Sequence, residues 1–108
     1  MIGGTYGKLL HVDLTTGGIE VESLPDDVYR LLAGGRGLVA YLLLRDLPPG
    51  ADPLGPENLL IFAPGVMQGT NFPGAGRHGV GGKSPHTGLL GSAEAGGWWG
   101  HEFKRTGF

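Results

Sequence analysis

The 108-residue sequence contains no cysteine, which excludes disulfides and thiolate-bound zinc or iron–sulfur clusters within this chain. Any redox metal has to be held by other groups. Charge is scarce as well, at 17% of residues. With a net charge of −2 and no basic run interleaved with aromatics, nucleic acid is not an expected partner. No stretch approaches the roughly 20 apolar residues that span a bilayer, and the opening residues lack the charged-then-apolar order of a secretory signal. No membrane partner is expected, and the expected location is the cytoplasm.

Glycine, by contrast, is abundant: 23 residues, beside 8 prolines. That content falls where disorder has to be considered, but 40% hydrophobic residues and a small net charge are unlike a chain that stays unfolded. The balance describes one folded domain with many turns and close backbone approaches, because glycine accepts positive φ and leaves room beside the main chain.

The pattern alternates between strand and helix signals. Gly7 to Leu14 and "IEVES" at Ile19 to Ser23 flank "TTGG" and form a hairpin whose second strand is exposed on one face. "LPDDVYRLLAGG" offers Asp26 as an N-cap, Val28, Leu31 and Leu32 at helical spacing, and Gly34 as a stop. "GLVAYLLLRDL" predicts a second helix ended by Pro48 to Gly50, and Leu59 to Ala63 a buried strand between prolines. "RHGVGG" and "TGLLGSAEA" read as short strands, and "GGWWGHEFKRTGF" as a glycine-started helix ending at Gly107. The fold class is α+β, mainly antiparallel sheet with two to three helices.

Residues 1 to 60 carry a balance of −4 and residues 61 to 108 one of +2, so the glycine-rich half favours anions. "GAGRHG" at Gly74 to Gly79 matches the dinucleotide-binding G-x-G-x-x-G pattern, but the required strand before it and helix after it are missing. "GGKS" at Gly81 to Ser84 ends like a phosphate-binding P-loop, yet Arg77 stands where its first glycine belongs and Pro85 follows at once. Two features remain. Arg77 can grip a phosphate through paired hydrogen bonds, and Gly96 and Gly97 would leave amides at a helix N-terminus open to an anion. Against this stands the reading that Arg77 pairs with a local carboxylate and the glycines serve tight packing. His11, His78, His86 and His101 are not spaced like a metal site. Trp98 and Trp99 can stack on a flat heterocycle or pack inward, and Glu94 and Glu102 lack a visible partner.

"YGKLLHVDLTTGGIEVE", "GGRGLVAYLL", "DPLGPENLLIFAPG" and "GRHGVGGKSPHTGLLGSAEAGGWWGHEFKRTGF" together resemble the N-terminal segment of the tungsten-dependent aldehyde:ferredoxin oxidoreductases, across nearly the whole chain. The "KSPxTG" and "GGxxGxExKxxGF" portions are specific to that family. The resemblance implies the first half of a duplicated, pterin-binding N-terminal domain, on whose sheets a tungsten bis-pterin rests. It implies further that a 4Fe–4S cluster and the substrate pocket lie in later domains, that the 108 residues are a fragment or a truncated gene product, and that the partners are the rest of the enzyme, ferredoxin, an aldehyde and possible formation of a homodimer. By position Arg77 matches an arginine on the pterin phosphates, and Gly96 a glycine at the same cofactor. Glu94 falls where the best-known members have asparagine, whose main-chain carbonyl helps bind a magnesium ion bridging the phosphates. A carboxylate there is unfavourable unless it faces the metal or solvent. The alternative function is a free-standing small domain that binds another phosphorylated ligand or a partner chain.

Overall fold

The computed structural model describes residues 3–108. β1 (Lys8–Val12) and β2 (Ile19–Ser23) pair antiparallel as the expected hairpin. Its turn is closed by Asp13, whose Oδ1 accepts from the amides of Thr15 and Thr16 at 2.8 and 3.3 Å. Those two donors hold the Asp13 carboxyl below its ordinary range. The second strand is more exposed than its alternation predicts, since Ile19 and Val21 are both open to solvent. The hairpin reaches the core through Leu9 and through Leu24, just beyond β2.

Helix α1 (Asp26–Leu32) begins one residue earlier than a cap at Asp26 would place it. Pro25 occupies the N-cap with no side-chain bond, and Asp26 and Asp27 fill the first turn, where a negative charge suits the helix dipole. The buried residue is Tyr29, with Val28 packed beside it, while Leu31 is exposed; the phenol and its i−1 neighbour occupy the inward stripe. Ala33 closes the helix in the left-handed region at φ 54°, its amide bonded to Tyr29 O.

Helix α2 (Gly35–Asp46) starts two residues before the expected span. It buries Leu38, Val39, Leu42 and Leu43, the i, i+1, i+4, i+5 stripe of an amphipathic helix. This stripe crosses a three-stranded antiparallel sheet of β3 (Ile61–Pro64), β4 (His78–Lys83) and β5 (Leu90–Ala95), in that order. The approach is close enough to explain glycine in the central strand. A Cβ at Gly79 would stand 3.0 Å from the Arg36 amide nitrogen, and one at Gly81 2.5 Å from Val39 Cγ1. Helix α3 (Trp99–Arg105) packs against β3. The α+β expectation holds, with three helices and two antiparallel sheets among the described residues.

β3 begins two residues later than expected because a side chain takes over its ladder. Asn58 donates from Nδ2 to Lys83 O and accepts at Oδ1 from Lys83 N, so both main-chain groups of Lys83 are already engaged. Nor is the strand buried throughout: Ala63 is 1% exposed on the α2 face, Phe62 43% and Leu60 70%. As an edge strand it accommodates Pro64 at its end.

Candidate cofactor-binding surface

The last pair of the β4–β5 ladder is His78 with Ala95, and Arg77 and Gly96 lie just past it. Arg77 is exposed, and among the described residues its side chain has no hydrogen-bond or ion-pair partner. The competing assignment of Arg77 to a local carboxylate is therefore not realised. The neighbouring carboxylate, Glu94, is engaged elsewhere, accepting at Oε1 from Arg36 Nη2 at 2.9 Å. Glu94 pairs with Gly79 in the ladder, and Gly79 lies against the start of α2, which brings Arg36 within reach. Sequence reasoning left Glu94 without a partner and missed Arg36, which is 58 residues away.

The glycines near the β4–β5 sheet and Arg77 differ in what surrounds them. At Gly79, Gly81, Gly82 and Gly100 an added Cβ would stand 3.0 Å or less from a neighbouring atom, so these serve packing. At Gly74, Gly76 and Gly97 it would meet nothing within 4 Å, and at Gly96 only Gly76 O at 3.9 Å. The second group surrounds Arg77 in the chain or in space. Its glycines are not required by internal packing and leave space beside the main chain next to Arg77.

One expectation is overturned here. α3 starts at Trp99 with Trp98 as its N-cap, and Gly97, at φ +87°, and Gly96 lie outside it. A helix of 7 residues with these glycines beyond its cap does not present their amides as helix-terminal donors. The strand at β5 takes the chain up to Ala95, and the left-handed turn at Gly97 is needed before the helix can begin.

The other candidates have local roles. Gly74–Gly79 leads into strand β4 rather than a helix, so the dinucleotide pattern lacks its context. In "GGKS", Lys83 Nζ donates to Ala51 O at 2.6 Å, and Ser84 Oγ accepts from the amides of His86 and Thr87 in the β4–β5 turn. His11 bonds Glu22 at 2.8 Å. His78 is buried with its ring 4.5 Å from that of Trp99, and its Nδ1 has no partner among the described residues. Trp99 stacks on Phe103 at 4.9 Å, whereas Trp98 is 79% exposed. Glu102 pairs with Arg105 at 2.7 Å. Among the described residues no three His, Asp or Glu side chains converge on a metal-sized site.

Two further polar side chains escaped the sequence reading. Lys104 Nζ donates to Gly65 O and Val66 O at 3.0 and 2.8 Å, and burial pushes its pKa down. Gln68, 2% exposed, donates from Nε2 to Gly76 O at 3.0 Å, while its Oε1 is buried without a partner among the described residues. Such a group costs about 1–3 kcal/mol. Lys104 had a signal, as the lysine of the C-terminal motif; Gln68 had none.

A cavity of about 60 Å³ between β1 and the end of α3 has room for a few waters and does not include Arg77. Arg77 itself is exposed, just past the end of the β4–β5 ladder.

The family described as "Aldehyde ferredoxin oxidoreductase, N-terminal domain" matches residues 9–108. The chain belongs to this family. It is 46% identical over 105 residues to a tungsten-containing aldehyde ferredoxin oxidoreductase of Thermococcus kodakarensis and 44% to one of Pyrococcus furiosus, in each case over 97% of this chain and 17% of the relative. It is also 41% identical over 90 residues to "Aliphatic sulfonate oxidoreductase, WOR-like subunit" of Pyrococcus furiosus, over 80% of this chain and 14% of that protein. Among solved structures, the active site complex BamBC of benzoyl coenzyme A reductase with 1,5-dienoyl-CoA superposes with a TM-score of 0.94 at 40% identity, covering 100% of this chain and 16% of that one. The chain thus spans only 14–17% of the length of these relatives. The resemblance to the aldehyde ferredoxin oxidoreductase family read from the motifs is borne out.

Proposed function

We propose that the chain is the cofactor-binding first half of the N-terminal domain of a larger oxidoreductase, and that Arg77 holds a phosphate of a tungsten bis-pterin. The observation that carries this reading is an exposed arginine, without a side-chain hydrogen-bond or ion-pair partner among the described residues, set among glycines that internal packing does not require, in a chain of the aldehyde ferredoxin oxidoreductase family. The residues fit the group. The open glycines let a large, flat ligand approach the main chain, and Arg77 supplies charge in a two-pronged geometry. Gly96 lies beside Gly76 and supplies main chain at the same edge, with Gly97 next to it.

Magnesium would rest on the main-chain carbonyl of Glu94, a ligand type that suits this hard cation, and would supply positive charge beside the phosphates. The Glu94 carboxylate is neutralised by Arg36, so a glutamate in this position does not confront the phosphates with an uncompensated charge. When bound, the tungsten centre supplies the redox chemistry. The residues of this chain bind and orient it. In the parent enzyme an aldehyde would be oxidised to a carboxylic acid with ferredoxin as electron acceptor, and a 4Fe–4S cluster would be held by later domains, not by this cysteine-free chain. The similar relatives are named for an aldehyde, a sulfonate and a coenzyme A thioester at 40–46% identity. One segment serving three such names suits a role in holding a cofactor, with the substrate chosen elsewhere.

The test is metal and pterin content per polypeptide, measured with melting temperature, in the full-length protein carrying Arg77, Arg77→Ala or Arg77→Lys. Loss of a charge-assisted contact contributing about 1.5–3 kcal/mol lowers cofactor affinity roughly ten- to a hundredfold in Arg77→Ala. Lysine recovers part of it, keeping the charge but losing the fork. Full occupancy in Arg77→Ala would sink the assignment.

A further inference from the structure

Among the described residues the exposed Arg77 side chain has no hydrogen-bond or ion-pair partner to fix it, so its place depends on its backbone. Gly76 O and the Arg77 amide belong to one planar peptide unit, and Gln68 Nε2 donates to that carbonyl at 3.0 Å. Gln68 itself has little freedom. It is 2% exposed, and its carboxamide occupies the notch left by the missing side chain of Gly100, where a Cβ would stand 2.1 Å from Nε2 and 2.5 Å from Oε1. The turn carrying Gln68 is also anchored, because Lys104 of α3 donates to Gly65 O and Val66 O and the Gln68 amide donates to Gly65 O at 3.0 Å. A connected path therefore runs from α3 through the 65–68 turn to the Gly76–Arg77 peptide. An apolar side chain of similar length would fill the same notch without burying an unpartnered oxygen. The glutamine contributes one thing such a residue lacks, the donor to Gly76.

We infer that Gln68, seated on Gly100, is a positioning residue: it holds the Gly76–Arg77 peptide plane and thereby sets where the Arg77 guanidinium is presented. This rests on Arg77 being the phosphate ligand proposed above. Gln68 touches no ligand itself and acts through Arg77.

Gln68→Met keeps the volume and removes the donor, and Gly100→Ala displaces the carboxamide while favouring the helix. In the full-length protein, Gln68→Met is expected to leave the melting temperature unchanged or raised and to weaken cofactor retention roughly three- to tenfold, the scale of one net hydrogen bond. Gly100→Ala should reproduce the retention loss. In an Arg77→Ala background Gln68→Met should add no further loss. If Arg77→Ala lowers occupancy while Gln68→Met keeps it full, or if Gln68→Met costs the same in both backgrounds, Gln68 serves packing and this inference falls alone. If Arg77→Ala keeps full occupancy, the phosphate assignment fails and the positioning role fails with it.

Discussion

Gly81 and Gly96 have the same side chain and opposite circumstances. At Gly81 an added methyl would stand 2.5 Å from Val39 Cγ1 and 2.9 Å from Gly91 O, inside the contact between β4 and α2; at Gly96 the first atom it would meet is 3.9 Å away. Overpacking a tight core contact costs about 1–3 kcal/mol, so Gly81→Ala should lower the melting temperature clearly. Gly96→Ala should leave it nearly unchanged and, in the full-length protein, reduce pterin content, since the methyl occupies the edge that the ligand approaches. Equal melting losses for the two variants would show that the division of glycines into packing and ligand-facing groups is wrong. The sequence alone could not draw this division. Twenty-three glycines look alike along a chain, and only the tertiary neighbours of each decide which are filled against.

At the scale of elements, the β1–β2 hairpin is latched to α2 by Arg45, whose Nη1 and Nη2 donate to the two carboxylate oxygens of Glu22 at 2.7 and 2.9 Å. Arg45 foremost, and then His11, hold the Glu22 carboxyl below its ordinary range. A carboxylate with a depressed folded pKa stabilises the fold above its unfolded pKa, and that contribution is lost as pH falls through the folded value. Glu22→Gln should therefore destabilise at neutral pH by no more than about 1 kcal/mol, as expected of an exposed pair. The difference from wild type should shrink below roughly pH 4 and in high salt. A difference independent of pH would remove the ion pair as its cause.

The same scale shows what was legible beforehand. Every element was readable as a type, because hairpin turn chemistry, the apolar stripe of α2 and the Pro48–Gly50 stop are local signals. The starts of β3 and α3 were not. Asn58 engages a residue 25 positions away, and the Gly97 turn separates the glycines from the helix they were expected to open. Of the residues in the proposed site, Arg77 and Gly96 were singled out by motif position, whereas Arg36 and Gln68 enter only through folding.

Taken as a whole molecule, the chain leaves large apolar side chains in the open: Leu14, Leu31, Leu44, Leu54 and Trp98 are each about 80% exposed or more. Scattered exposure of this kind is ordinary, but Leu60, Phe62 and Leu90 on β3, β5 and their approach are also uncovered, beside the free edges of a three-stranded sheet. Under the half-domain proposal, the isolated 108 residues should bind a hydrophobic dye, self-associate, and show no aldehyde oxidation with ferredoxin or viologen as acceptor. A clean, dye-negative monomer would count against a missing covering half, and turnover by the isolated chain would overturn its purely cofactor-holding role.

The paired tryptophans give the chain an optical property of its own. Trp98 and Trp99, the only two in the sequence, directly follow Gly96 and Gly97, one in solvent and one stacked on Phe103. Indole emission from these 108 residues thus originates at the rim of the proposed cofactor surface and nowhere else, so the segment carries a built-in fluorophore pair that senses, without any label, what settles against that rim.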